Sequence, residues 1–324
     1  MTTPPFFARA ASLGLPLPRV PEDVAQRTIS GTTTRALDGR YVSEALVAGC
    51  ARLAADAPAR GLRVPRLVVV LAGDDAASAV YVANKERTFA KAGFASETLR
   101  VPSPEASEER LLDIVRSLNA RTEVDGILVQ LPLPSGVSSA RVLCAIDPRK
   151  DVDGFLKENM GLLALGEFTG ALPCTPYGVM VLLAAYGLSA RGKRAVVVGR
   201  SNIVGKPMGL LLLSEDATVT TAHSRTTDLV AHTRDADIVV AAAGQAKLIG
   251  RQHVKEGAIV VDVGMHRGSD GKLCGDVDAS SETGVAGRAA WLTPVPGGVG
   301  PMTIAMLLVN TAVAAWGRAG DGNR

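Results

Sequence analysis

Lys193-Arg-Ala-Val-Val-Val-Gly-Arg-Ser-Asn-Ile-Val-Gly-Lys-Pro207 passes from an aliphatic run into a turn bounded by Gly199 and Gly205, and then into a Lys-Pro pair. A short apolar run without polar alternation reads as a strand buried on both faces, and proline suits the first turn of a helix. Strand, tight turn and helix in that order open a βαβ unit. Toward the C-terminus, the block continues with strand-like segments at 217–221, 236–243 and 257–264, with short helical pieces between them. Such alternation predicts a parallel sheet covered by helices.

Toward the N-terminus a second block of the same kind comes first. Leu46, Cys50, Leu53 and Ala57 fall at helical spacing, and Arg66-Leu-Val-Val-Val-Leu-Ala-Gly73 follows as a buried strand. The pattern continues as helix over 76–92, strand over 97–101, helix over 108–119 and strand over 126–130. Between the blocks, 147–176 is loop-rich with one short helix, which puts the junction near residue 172. The expected fold class is α/β, with two α/β domains and the second Rossmann-like. The first spans 33–172, the second 173–301. An apolar final helix over 302–318 returns to complete the first domain, because leaving it exposed would be costly. Residues 1–32 form an extension, read as a disordered tail or a targeting segment.

Composition agrees with this and removes other classes. A chain of 324 residues is longer than one hydrophobic core usually serves, and 47% hydrophobic against 21% charged residues excludes disorder. Lys plus Arg at 35 and Asp plus Glu at 32 leave +3, scattered along the chain, so the basic footprint of a nucleic-acid binder is missing. Cys50, Cys144, Cys174 and Cys274 lie far apart without metal-ligand spacing, which reads as four reduced thiols in a cytoplasmic protein and no metal. The longest uncharged stretch lies between Arg288 and Arg318, but only 302–316 of it reads as helix. That is about 22 Å, short of a bilayer core of roughly 30 Å, so no membrane span is expected.

Several constellations could carry chemistry. Ser78, Tyr81 and Lys85 are spaced i, i+3, i+7 and share one helix face after the first buried strand, where α/β sheets bind ligands. A surface helix with a solvated lysine would show the same spacing. Gln130 places an amide where an apolar strand ends, able to hold a neighbouring Lys or a ligand, or simply to cap the strand. Asp151 and Asp153 stand two apart in a loop. No third metal ligand is near them, and a carboxylate accepting two N–H bonds from a planar heterocycle is the sharper reading, with a plain turn as the other.

The Gly199 turn departs from G-x-G-x-x-G, since Ser201 takes the second position and Gly205 comes one residue late. Arg200, together with His223-Ser-Arg225 where an acidic ribose ligand would otherwise stand, fits a 2′-phosphate and hence NADP rather than NAD. Thr293-Pro-Val-Pro-Gly-Gly-Val-Gly-Pro-Met-Thr303 is so poor in side chains that its backbone is the working part, with glycines that let a flat ligand approach.

Six stretches together, Tyr81-Val-Ala-Asn-Lys85, Val129-Gln-Leu-Pro-Leu-Pro134, Lys150-Asp-Val-Asp-Gly-Phe155, Pro173-Cys-Thr-Pro-Tyr-Gly178, Val198 through Met208 and Thr293 through Thr303, resemble the bifunctional methylenetetrahydrofolate dehydrogenase/methenyltetrahydrofolate cyclohydrolase family. The resemblance spans about 33–318. It implies two α/β domains with a cleft between them, a homodimer, a folate substrate, and NADP-dependent oxidation of 5,10-methylenetetrahydrofolate followed by hydrolysis of the methenyl product to 10-formyltetrahydrofolate. Lys85 is then the catalytic lysine, Gln130 the amide that tunes it, Tyr81 the ring stacked on the folate and Asp153 the carboxylate that holds the pterin. Ser78, Val129, Leu131, Pro296, Gly297 and Gly298 complete the substrate site, and Gly199, Arg200, Ser201, Ser224, Arg225 and Gly264 the cofactor site. Ala222 stands where the family often has Cys, and Gln245 where Lys is frequent, both on the cofactor side. The rival readings are a catalytically silent folate- or nucleotide-binding protein and another two-domain NAD(P) oxidoreductase.

Overall fold

The computed structural model of the protein describes residues 3–268, 271–280 and 282–321. In chain order its strands are β1 (Arg35–Ala36), β2 (Arg66–Ala72), β3 (Ala95–Val101), β4 (Gly126–Val129), β5 (Arg194–Val198), β6 (Thr218–Ala222), β7 (Ile238–Ala241), β8 (Ile259–Asp262), β9 (His266–Arg267), β10 (Leu273–Cys274) and β11 (Trp291–Leu292). The chain divides into two compact units. One gathers Met1–Pro16, Ala45–Cys174 and Ile304–Arg324, the other Leu17–Glu44 and Thr175–Thr303.

In the first unit β2 lies between β3 and β4, all parallel, with Val69 level with Thr98 on one side and Leu128 on the other. Beyond its first residue β2 is buried throughout, as a central strand covered on both faces must be. The Glu108–Ala120 helix starts where Ser107 accepts the Arg110 N–H, and it turns Leu111, Val115 and Leu118 into the cluster that holds Val68, Val70, Ile127 and Val129. Late in the chain, Trp316 donates its indole N–H to Arg63 O at 2.9 Å and meets Phe94 edge-on at 5.5 Å.

The final helix corrects the length argument made from sequence. It begins at Val299 and ends at Asp321, 23 residues or about 35 Å. Pro301 falls in its first turn, where the N–H groups have no intrahelical partner to lose. Length therefore does not separate this helix from a membrane span; burial does, since 67% of its most apolar window lies inside the protein.

The described part of residues 1–32, read as an extension, holds three short helical pieces, Pro5–Phe7, Ala8–Ser12 and Glu22–Ala25, and buries Phe6, Phe7, Ala10 and Val24. Leu15 fits over Gly49, where a Cβ would lie 2.5 Å from its Cδ1. The start of the 33–172 stretch behaves differently from the sequence reading, because β1 pairs with β11. Arg35 N donates to Ala290 O and Leu37 N to Leu292 O, both at 2.9 Å, and 17–44 thereby joins the second unit.

That unit is built on one parallel sheet of order β1-β11-β8-β7-β5-β6, with β9 and β10 as a separate antiparallel pair. After β6 the chain crosses to β7 on the opposite side of β5, so strand order reverses at β5. Open α/β sheets bind ligands at the carboxyl ends of strands beside such a reversal.

Candidate active site

In the first unit, β2 runs into Gly73, which turns at φ 88°, and Asp75 then caps the Ala76–Lys91 helix by accepting the Ser78 N–H at 2.7 Å. This start fixes the rotation of the helix and places Ser78, Tyr81 and Lys85 along one face. Ser78 is buried, while Tyr81 is 40% exposed and so presents ring surface to solvent.

β4 supplies the opposing group. The strand is buried through Val129, and Gln130 extends its pairing by donating its backbone N–H to Val70 O at 2.9 Å. Its side-chain Nε2 donates to Leu131 O at 2.7 Å, which leaves Oε1 to accept from Lys85 Nζ at 2.8 Å. The Leu131-Pro132 bond that follows is cis. Gln130 thus does more than cap a strand: the lysine and the amide meet.

Asp153 comes from a loop pinned by its neighbours. Lys150 buries its ammonium against the end of the Glu108–Ala120 helix, donating to Leu118 O, Asn119 O and Arg121 O at 3.0, 2.8 and 2.6 Å. A cation among terminal helix carbonyls also complements the helix dipole. Asp151 accepts from Gly154 N, Leu156 N and Asn159 Nδ2 at 2.8–3.0 Å, so it serves the loop itself. Among the described residues no group of three or more His, Cys, Asp or Glu could hold a metal.

The electrostatics of Lys85 and Asp153 are coupled. Burial pushes the Lys85 pKa down from the ordinary lysine value, with Asp153 pulling it back up. Burial pushes Asp153 up to about 6, against the opposing pull of Lys85. Cys174, unassigned in the sequence reading, hydrogen-bonds the Asp153 carboxylate, and burial together with that carboxylate drives its thiol pKa well up. It is a neutral donor at ordinary pH. Its only sequence signal was its place in the Pro173-Cys-Thr-Pro-Tyr-Gly178 stretch.

The second unit brings the cofactor candidates to one sheet edge. Val198 and Ala222 are level across β5 and β6, so the turns that carry Arg200 and Ser201, and Ser224 and Arg225, leave adjacent strands. All four side chains are exposed. Gly199 sits at φ 143°, and a Cβ there would lie 2.1 Å from Ala242 O; one on Gly205 would lie 2.3 Å from Gly199 O. Only glycine lets this loop close onto the end of β7 and lead into the Gly205–Ser214 helix. Ser201 Oγ accepts the Val204 and Gly205 N–H groups at 3.2 and 3.3 Å. Gly264 follows β8 and packs against Asp276, which the sequence reading missed. The Asp276 carboxylate accepts from Ala243 N at 2.6 Å, Gly244 N at 2.9 Å and pairs with His266 Nε2 at 2.7 Å.

Pro296, Gly297 and Gly298 also belong to the second unit, after a cis Val295-Pro296 bond. A Cβ on Gly39 would lie 1.8 Å from Gly298 O, and Arg40 N donates to Gly297 O at 3.1 Å. The turn therefore receives a neighbouring piece of backbone, a packing demand the sequence reading attributed to a ligand alone.

The tetrahydrofolate dehydrogenase/cyclohydrolase catalytic-domain family model matches residues 37–153, and the NAD(P)-binding-domain model of the same name matches 173–318. The chain belongs to the tetrahydrofolate dehydrogenase/cyclohydrolase family. Within it, the bifunctional protein FolD of Acidiphilium cryptum is 55% identical over 284 residues, 88% of this chain and 99% of the relative. The crystal structure of the bifunctional FolD methylenetetrahydrofolate dehydrogenase/cyclohydrolase from Campylobacter jejuni is 44% identical with a TM-score of 0.85, covering 88% of this chain and 99% of its own. The Trypanosoma brucei methylenetetrahydrofolate dehydrogenase-cyclohydrolase, solved with NADP cofactor and inhibitor, is 38% identical with a TM-score of 0.82, over 88% and 98%. Both α/β units of this tetrahydrofolate dehydrogenase/cyclohydrolase family member thus have solved counterparts.

Proposed function

We propose that Lys85 carries the proton of the hydrolytic half-reaction in an enzyme that oxidises 5,10-methylenetetrahydrofolate with NADP and hydrolyses the 5,10-methenyl product to 10-formyltetrahydrofolate. The observation that carries this reading is the 2.8 Å bond from Lys85 Nζ to Gln130 Oε1. An amide acceptor orients the amine without adding charge, so burial still favours the neutral form. Water attacking a cationic carbon must lose a proton, and a neutral amine held at the site takes it.

Oxidation asks less of the side chains. NADP, when bound, supplies the hydride acceptor, and positioning is the main demand on the protein. Asp153 accepts N–H bonds from the pterin, Tyr81 stacks on the folate ring system, and Ser78, Val129 and Leu131 border the substrate. The unit that contains 45–174 carries folate, and the unit of 17–44 and 175–303 carries NADP. The cradle fits the cofactor, since Gly199 has no room for a Cβ and the adjacent turns offer two arginines and two serines. Arg200, Ser201, Ser224 and Arg225 meet the 2′-phosphate end, and Gly199 and Gly264 give backbone access. We place the enzyme in the cytoplasm as a homodimer; the exposed threonines of edge strand β6 support pairing with a second copy.

Lys85→Met tests the central role. Hydrolysis should fall by about 10²- to 10⁴-fold, the usual worth of a positioned base, while methylene oxidation survives in part. A spectrophotometric assay that follows the methenyl absorbance and its decay reads both steps. Unchanged hydrolysis would remove Lys85 from this role.

A further inference from the structure

Behind the Asp153 loop stands a side chain that the reaction chemistry does not call for. Asn310 lies on the Val299–Asp321 helix, 6% exposed, and its Nδ2 donates to Val152 O and to Leu172 O, both at 2.8 Å. Cys174 Sγ lies 3.6 Å from the same nitrogen. An amide nitrogen has two N–H groups, and these two carbonyls use both. The opposite amide orientation would set an oxygen against two carbonyl oxygens, so the network fixes which way Asn310 points.

The two carbonyls belong to the two segments that border Asp153. Val152 precedes it directly. Leu172 lies against the residue after it, since a Cβ on Gly154 would come 2.8 Å from Leu172 O and 2.6 Å from its carbonyl carbon. Cys174 closes the arrangement, its single S–H shared between two acceptors, Val152 O at 3.3 Å and the Asp153 carboxylate. Lys150 and Asp151 hold the loop at its other end. One buried amide thus ties together the backbone before Asp153, the segment behind it and the thiol beside it. An apolar residue here would leave two buried carbonyls short of donors, and a carboxylate would repel them.

We infer that Asn310 is a positioning residue for the folate site, setting Asp153 through Val152 O, Leu172 O and Cys174. The inference rests on the reading of Asp153 as the carboxylate that holds the pterin.

The test compares Asn310→Ala, Asn310→Ser, Asp153→Ala and the double variant Asn310→Ala/Asp153→Ala in the full chain. Far-ultraviolet circular dichroism and NADP affinity serve as controls for folding. The expected result is a folate KM raised roughly 10- to 100-fold in Asn310→Ala, as for a misplaced binding group, with kcat and the NADP KM little changed. Asn310→Ser, which keeps one donor, should lie between it and the unaltered protein. Adding Asn310→Ala to Asp153→Ala should raise the folate KM no further.

Independent, multiplying effects of the two substitutions would overturn the inference. So would an unchanged folate KM in folded Asn310→Ala, or failure of both Asn310 variants to fold, which would make Asn310 a folding residue only. If Asp153→Ala itself leaves the folate KM unchanged, the pterin assignment falls and takes the inference with it. A raised KM in Asp153→Ala without coupling to Asn310 removes the inference alone.

Discussion

Burial moves the pKa values of Asp153 and Lys85 in opposite directions, favouring the neutral form of each. For Asp153 the pKa rises to about 6, so the carboxylate proposed to accept pterin N–H bonds is lost as pH falls through that value. For Lys85 the pKa is lowered, so the neutral amine gains population as pH rises, below the ordinary lysine range. The folate KM should therefore climb on the acid side of pH about 6, while kcat for hydrolysis keeps rising with pH above it. Steady-state assays from about pH 5 to about pH 9 check both limbs. Asp153→Asn should abolish the acid limb of KM and leave it uniformly high. The sign for stability is the reverse. A carboxyl whose folded pKa exceeds its unfolded one binds its proton more tightly in the native state, so its contribution is fully present below pH about 4 and is lost as pH rises through about 6.

At the level of elements, the two turns after β5 and β6, brought to one sheet edge by strands in register, carry the proposed choice of cofactor. Arg200→Ala should raise the NADP KM roughly 10- to 100-fold, the worth of a charge-assisted hydrogen bond, and change the NAD KM much less. Equal changes for the two cofactors would remove the 2′-phosphate argument. The strand-turn-helix at 193–207 was legible because its signals are local: an aliphatic run, a glycine with no room for Cβ, and a proline. The Asp153 loop was legible only as a loop. Its anchors Lys150 and Asp151 reach carbonyls and N–H groups that no spacing rule connects, and Asn310 lies 158 residues from Val152. β1 and β11, two residues each, are too short to show any periodicity, which is why 17–44 could not be assigned from pattern. The helix start at Val299 was hidden by Pro301, read as a breaker although the first turn tolerates it.

For the molecule as a whole, the alternating blocks were enough to give two α/β units, because a parallel sheet imposes helix-strand order along the chain. Composition could not show that the first 16 residues bury two phenylalanines, since a short segment with little periodicity reads as a tail. Each fully buried side chain of that size is worth about 1.5–3 kcal/mol, so this segment adds to stability. The proposed homodimer should appear in sedimentation equilibrium as about twice 33.5 kDa, and a monomeric mass at working concentration would set the dimer aside.

The chain passes between its two units four times, at Pro16 to Leu17, Glu44 to Ala45, Cys174 to Thr175 and Thr303 to Ile304. No single contiguous segment of the gene therefore encodes either unit. Recombination that exchanges one contiguous gene segment cannot swap either unit cleanly, because it would leave strand β1 or the final helix mismatched to its new sheet or core. Two units interleaved along the chain in this way are inherited together.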